Sequence, residues 1–158
     1  MKQYSLAMVM VLLSAACANA QDAHKEWAKF FAGTWEISGA DGVAEMNMKL
    51  AAKGTALIGT TKNDKGGEAA WIFGWNGNSK RMIHGWFGDE GEAGHVSYEI
   101  MDKDTLRGPG VSRSAEGDMK GMVTVKRTSD NRYTVQWTEV TLNGAKADDL
   151  NLVVERKK

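Results

Sequence analysis

Three histidines, His24, His84 and His95, are the residues best placed to bind a metal or move a proton near neutral pH. A zinc site needs three or four converging ligands, and Asp89, Glu90, Glu92 and Glu99 are close enough in sequence to join His84 and His95. The simpler reading gives one histidine to a cavity and the other to solvent, and we adopt it, assigning no metal ligands. Nucleophilic chemistry has little to work with. No Gly-x-Ser-x-Gly elbow exists, and Cys17 is the single cysteine. Carboxylate pairs such as Asp148-Asp149 fall in loops, where they are solvated. Gly108-Pro109-Gly110 lacks the Lys-Ser/Thr pair and the following helix of a phosphate loop. No catalytic residue is assigned, although a small barrel enzyme using His84 or His95 as general acid/base stays open as the alternative.

The aromatic residues say more. Trp71, Phe73 and Trp75 alternate with Ile72 and Gly74, and Met82, His84 and Trp86 alternate with Ile83 and Gly85. The four-residue turn Gly77-Asn78-Ser79-Lys80 between them predicts a hairpin pairing Asn76 with Arg81 and Trp75 with Met82. The same register pairs Phe73 with His84 and Trp71 with Trp86. Five apolar side chains and one histidine then share a face. Apolar walls with a few polar groups characterise small-molecule sites, and a plain core wants the same large side chains. We take Trp71, Phe73, Trp75, Trp86, Tyr98 and Trp137 as the wall of a ligand cavity. His84 is the expected orienting hydrogen-bond partner, able to change charge near neutral pH. The expected function is non-catalytic binding of a small apolar or aromatic molecule. A filled core, in a structural or interaction protein, remains beside it.

These side chains must be held by strands. Residues 23–31 have helical spacing, with Ala23, Trp27, Phe30 and Phe31 near one face and Asp22 as a candidate cap. Everything after Gly33 reads as short alternating strands separated by Gly, Asn and Asp turns, about ten in all. Nothing of βαβ length separates them, which excludes a parallel sheet. Closure into a barrel is how such a meander hides its edges, so the expected fold is an antiparallel up-and-down β-barrel with one short N-terminal helix. Gly108-Pro109-Gly110 is expected to interrupt the strand around Leu106 and Val111.

The chain has 158 residues, 20 Lys+Arg and 20 Asp+Glu, so it lacks the basic surface that drives nucleic-acid binding. Lys2, the apolar run Leu6 to Leu13 and the ending Ala18-Asn19-Ala20 read as a secretory signal peptide over residues 1–20. The run is too short for a transmembrane helix, which needs roughly 20 apolar residues. Residues 21–158 are then the exported barrel domain, periplasmic or secreted, with net charge −1 and no disulfide. Lipid attachment at Cys17 is the competing expectation.

Phe30-Phe31-Ala32-Gly33-Thr34-Trp35 resembles the Gly-x-Trp entry of lipocalin-like barrels, where a short helix precedes a strand whose Trp packs at the closed end. Trp71-Ile72-Phe73-Gly74-Trp75-Asn76, His84-Gly85-Trp86-Phe87-Gly88-Asp89 and the ending Leu152-Val153-Val154-Glu155-Arg156-Lys157 are similar to strands of a family of uncharacterised secreted bacterial lipocalin-like domains. The resemblance spans nearly the whole of residues 21–158. It implies a fold and brings no established chemistry. Nitrobindin-type haem barrels share the Gly-Thr-Trp opening but hold iron through a histidine near the C-terminus. This chain has no histidine after His95, so no haem is expected and no cofactor is assigned.

The opposite faces of the two aromatic strands carry Ala70, Ile72, Gly74, Ile83, Gly85 and Phe87, with Arg81 as the one charge. An apolar barrel exterior implies cover. The expected covers are the N-terminal helix, through Trp27 and Phe30, or a second copy in a homodimer through the Ile72/Ile83/Phe87 face.

Overall fold

A computed structural model describes residues 23–39 and 42–158. The expected signal segment 1–20, Cys17, the cleavage before Gln21 and the Asp22 cap lie outside the described residues.

One helix, α1 (residues 23–31), precedes eleven strands. They are β1 (Gly33–Gly39), β2 (Gly42–Ala51), β3 (Ala56–Asn63), β4 (Glu68–Asn76), β5 (Arg81–Gly88) and β6 (Ala93–Ile100). Then come β7 (Thr105–Ser114), β8 (Gly117–Ser129), β9 (Arg132–Leu142), β10 (Ala145–Lys146) and β11 (Leu150–Arg156). Consecutive strands from β1 to β9 pair antiparallel. The short β10 and then β11 pair along the remaining edge of β9, and β11 returns to β1. The circuit is a closed ten-strand barrel, as the hairpin spacing predicts, and closure gives each of its ten strands a neighbour on both sides.

The turns show why the register is firm. Asn76 Oδ1 accepts the backbone N–H groups of Asn78 and Ser79 at 3.0 and 3.2 Å, folding the side chain into the β4–β5 turn. From there the ladder pairs Asn76 with Arg81, Trp75 with Met82, Phe73 with His84 and Trp71 with Trp86. That is the register expected from the turn length.

One local expectation gives way. β7 runs unbroken through Gly108-Pro109-Gly110, because the Pro109 ring points outward and is exposed. The β6–β7 ladder skips the pairs between Val96↔Gly110 and Glu99↔Arg107, so no hydrogen bond is asked of the missing Pro109 N–H. Gly108 and Gly110 face inward. A side chain at Gly110 would overlap Val123 and the Trp137 ring, so its absence seats that tryptophan.

α1 closes one end of the barrel. Trp27, Phe30 and Phe31 are buried; Trp27 packs on the two phenylalanines, whose rings pack in turn on Trp35, Phe73 and Tyr133 at centroid distances of 5.0–5.8 Å. Trp35 is fully buried, and its Nε1 donates to the Phe31 carbonyl at 2.8 Å. Arg156, on the last strand, lies 4.1 Å from the centre of the Trp35 ring and donates to the Phe30 and Ala32 carbonyls, both at 2.7 Å. One guanidinium thus satisfies two carbonyls at the helix C-terminus and stacks on the opening tryptophan. Gly33 has φ 124°, and any side chain there would strike Arg156, so glycine is required twice over.

This position corrects one expectation. Trp27 and Phe30 face the barrel interior, so α1 does not cover the outer apolar face. Ile58, Ile72 and Phe87 on that face are 57%, 55% and 69% exposed. Among the described residues no helix is long and apolar enough to cross a membrane.

Candidate functional site

Inside the barrel, with Phe31 of α1 among its lining residues, lies a cavity of about 280 Å³. Its walls follow from strand parity. β4, β5 and β6 send Trp71, Phe73, His84, Trp86, Val96 and Tyr98 inward, because residues two apart on a strand share a face. Roughly half-way round the ring, β9 and β11 contribute Tyr133, Val135, Trp137, Leu152 and Val154. Met46, Met48 and Met119 add flexible thioethers to the lining.

The aromatic wall is ordered. Trp71 stacks on His84 with centroids 4.6 Å apart and planes 21° apart, and on Trp86 at 5.9 Å and 28°. Phe73 meets His84 edge-on at 5.6 Å, and Trp137 meets Trp86 edge-on at 6.4 Å. Gly94, the cross-strand partner of Trp86, has no side chain because one would overlap the indole. Gly94 and Gly110 therefore set where two of the wall's tryptophans lie.

Polar groups are few and share a condition. His84, Tyr98 and Tyr133 all border the cavity, and none takes part in a hydrogen bond among the described residues. Trp71 Nε1 is buried and likewise has no partner. Burial drives the His84 pKa down to about 3, so the ring is neutral throughout the physiological range. The expectation that His84 changes charge near neutral pH is therefore corrected: its apolar neighbours penalise the imidazolium. Burial also pushes the Tyr98 and Tyr133 hydroxyls upward, and each keeps its proton.

Of the seven residues expected on the wall, the structure brings six together: Trp71, Phe73, His84, Trp86, Tyr98 and Trp137. Trp75 is elsewhere. Although it shares the inner face, it lies at the plugged end, stacked on His24 at 4.8 Å and 13°. His24 itself is buried on α1, where its spacing of three from Trp27 and seven from Phe31 is the signal that places it. Tyr133 and the three methionines were missed as lining residues. Parity from Trp137 through Val135 marks Tyr133, and parity from Met46 marks Met48. His95 points outward and is exposed while His84 points inward, so the two do not converge. Among the described residues no three His, Cys, Asp or Glu side chains gather at a metal-binding distance.

No family model matches the chain, and no curated protein matches it. Solved structures similar to the chain include two that it matches over most of their length. A redesigned beta barrel, b11L5F_LGL, is 17% identical with a TM-score of 0.40 over 83% of this chain and 95% of that one. EF1p2_mFAP2b bound to DFHBI is 14% identical with a TM-score of 0.38 over 84% of this chain and 98% of that one. The closed antiparallel barrel stands on its own strand pairing, and the lipocalin-like family remains a resemblance of motifs.

Proposed function

We propose that the chain is an exported, non-catalytic barrel of lipocalin-like type that holds a small apolar or aromatic molecule inside. The observation that carries this reading is the cavity of about 280 Å³, walled by rings, methionines and aliphatic side chains, with three unpartnered polar groups on its surface. Its volume sits near the lower end of the ~300–1,000 Å³ found for small-molecule pockets. Unpartnered polar groups inside a barrel are costly, and a guest that hydrogen-bonds to them removes the cost.

Acid/base catalysis fits less well. A histidine with pKa about 3 is a weak base, phenols with raised pKa values are weak acids, and no carboxylate borders the cavity to fix the His84 tautomer. Binding is tested by adding N-phenylnaphthylamine, an uncharged fluorescent probe, and following tryptophan quenching together with thermal shift. Saturable binding at one site is expected, weakened by Trp71→Ala. A folded protein that shows no response to this probe or to a wider panel of apolar molecules overturns the reading. Export is tested separately by the intact mass of the secreted product. Gln21 at the N-terminus supports a soluble exported protein, and a lipid on Cys17 selects the anchored form.

A further inference from the structure

The cavity border holds no Asp, Glu, Lys or Arg side chain. Among the described residues two arginines pack against the plug, and both are already engaged, Arg127 also pairing with Asp130. Arg156 is bound to the Phe30 and Ala32 carbonyls, and the Arg127 guanidinium lies 4.5 Å over the Phe30 ring. A carboxylate entering the cavity would leave water with no counter-charge to receive it, which is among the costliest transfers a site can impose. The end away from α1 adds to the barrier. Among the described residues the connections at that end, the short β10 included, carry Asp64, Asp89, Glu90, Glu92, Glu116, Asp148 and Asp149 against Lys65 and Lys146. A negative rim lowers the local concentration of anions.

The polar groups that do border the cavity are neutral hydrogen-bonders of both senses. His84 presents one donor and one acceptor, and each tyrosine hydroxyl presents both. Tyr98 sits one diagonal step from His84 on the next strand, since Met82 pairs with Tyr98 and His84 with Val96. Phe73 touches both rings, at 5.6 Å from His84 and 6.2 Å from Tyr98. Tyr133 reaches the same region from β9, where burial and then the neighbouring Tyr98 phenol hold its pKa up.

Building on the binding reading above, we infer that the cavity selects uncharged ring compounds carrying a hydroxyl, amine or carbonyl, and rejects carboxylates, fatty acids included. The ring lies against Trp71, Phe73 and Trp86, and the polar substituent meets His84, Tyr98 and Tyr133. The test is displacement of N-phenylnaphthylamine by naphthalene, naphthol and naphthoate, which share one ring system. At neutral pH naphthol is expected to displace the probe at a concentration at least about tenfold below naphthoate. It is also expected to outcompete naphthalene, and a His84→Phe/Tyr98→Phe double variant is expected to narrow that second gap, read as the ratio of naphthol to naphthalene displacement within each protein. Naphthoate equal to naphthol overturns the charge rule. Naphthalene equal to naphthol overturns the polar contact. In both cases the probe still binds, so the binding reading survives. A folded wild-type protein that does not bind the probe defeats that reading and this inference with it.

Discussion

The two ends of the barrel interior are built from the same materials and finished differently. At the α1 end, Trp27, Phe30, Phe31, Trp35 and Tyr133 interlock ring against ring. The Trp35 indole and the Arg156 guanidinium both have their hydrogen bonds made. A few ångströms further in, Trp71, Phe73, Trp86 and Trp137 surround a void, and His84, Tyr98 and the Trp71 indole have no partner among the described residues. The chain fills the α1 end with rings and pairs the Trp35 and Arg156 side chains there, while the buried Trp27 Nε1 is left without a hydrogen bond among the described residues. Where it does neither, the arrangement points to a site, because an unsatisfied polar group by an apolar void adds nothing to stability.

The contrast can be broken from the plug side first, where effects are largest. Trp35→Ala removes a fully buried ring together with its hydrogen bond and the seat of Arg156. It is expected to cost about 3–5 kcal/mol in urea unfolding.

The next effect in size belongs to His84. The unfolded chain takes up a proton there below its ordinary pKa of 6.5, whereas the folded chain does so only near 3. The folded pKa is depressed, so stability is full above pH 6.5 and drains away as pH falls toward 3. His84→Phe is expected to remove up to about 3 kcal/mol of the wild-type stability loss between neutral pH and pH 4, read from unfolding midpoints. Identical acid limbs in the two proteins would place His84 in solvent.

A matched pair of enlargements sharpens the comparison. Leu57→Phe, at a fully buried site in the filled core, is expected to destabilise by about 1–3 kcal/mol. Val135→Phe, on the cavity wall, gains room from the void, so it is expected to leave the melting temperature unchanged or higher while weakening probe binding. The smallest effect is on the outside of the same strands. Phe87→Lys, at a side chain 69% exposed, is expected to change stability by no more than about 0.5 kcal/mol and leave probe binding alone.

The sequence makes the architecture readable because period-two alternation and Asn/Gly turns are local signals. The β4–β5 register follows from one four-residue turn, and with it the grouping of Trp71, Phe73, His84 and Trp86. Alternation gives the face of a residue and not its depth along the barrel. Trp75 shares its face with Trp71 yet lies under α1, and only the position of the helix separates them. The His84 protonation state was equally out of reach. It depends on burial among Trp71, Phe73 and Trp86, which no residue type reveals alone. The break expected at Gly108-Pro109-Gly110 fails for a related reason: the gap in the β6–β7 ladder that tolerates Pro109 is a property of two strands together.

The central claim, that the void among the rings takes a guest, is tested most directly by methyl NMR of methionine-labelled protein titrated with N-phenylnaphthylamine. Met46, Met48 and Met119 border the cavity, Met82 is sealed in the core, and Met101 is exposed on the surface. The account predicts saturable shifts at Met46, Met48 and Met119, with Met82 and Met101 essentially still. Shifts confined to Met101, or none at any methionine at concentrations that saturate the probe's fluorescence, would contradict it.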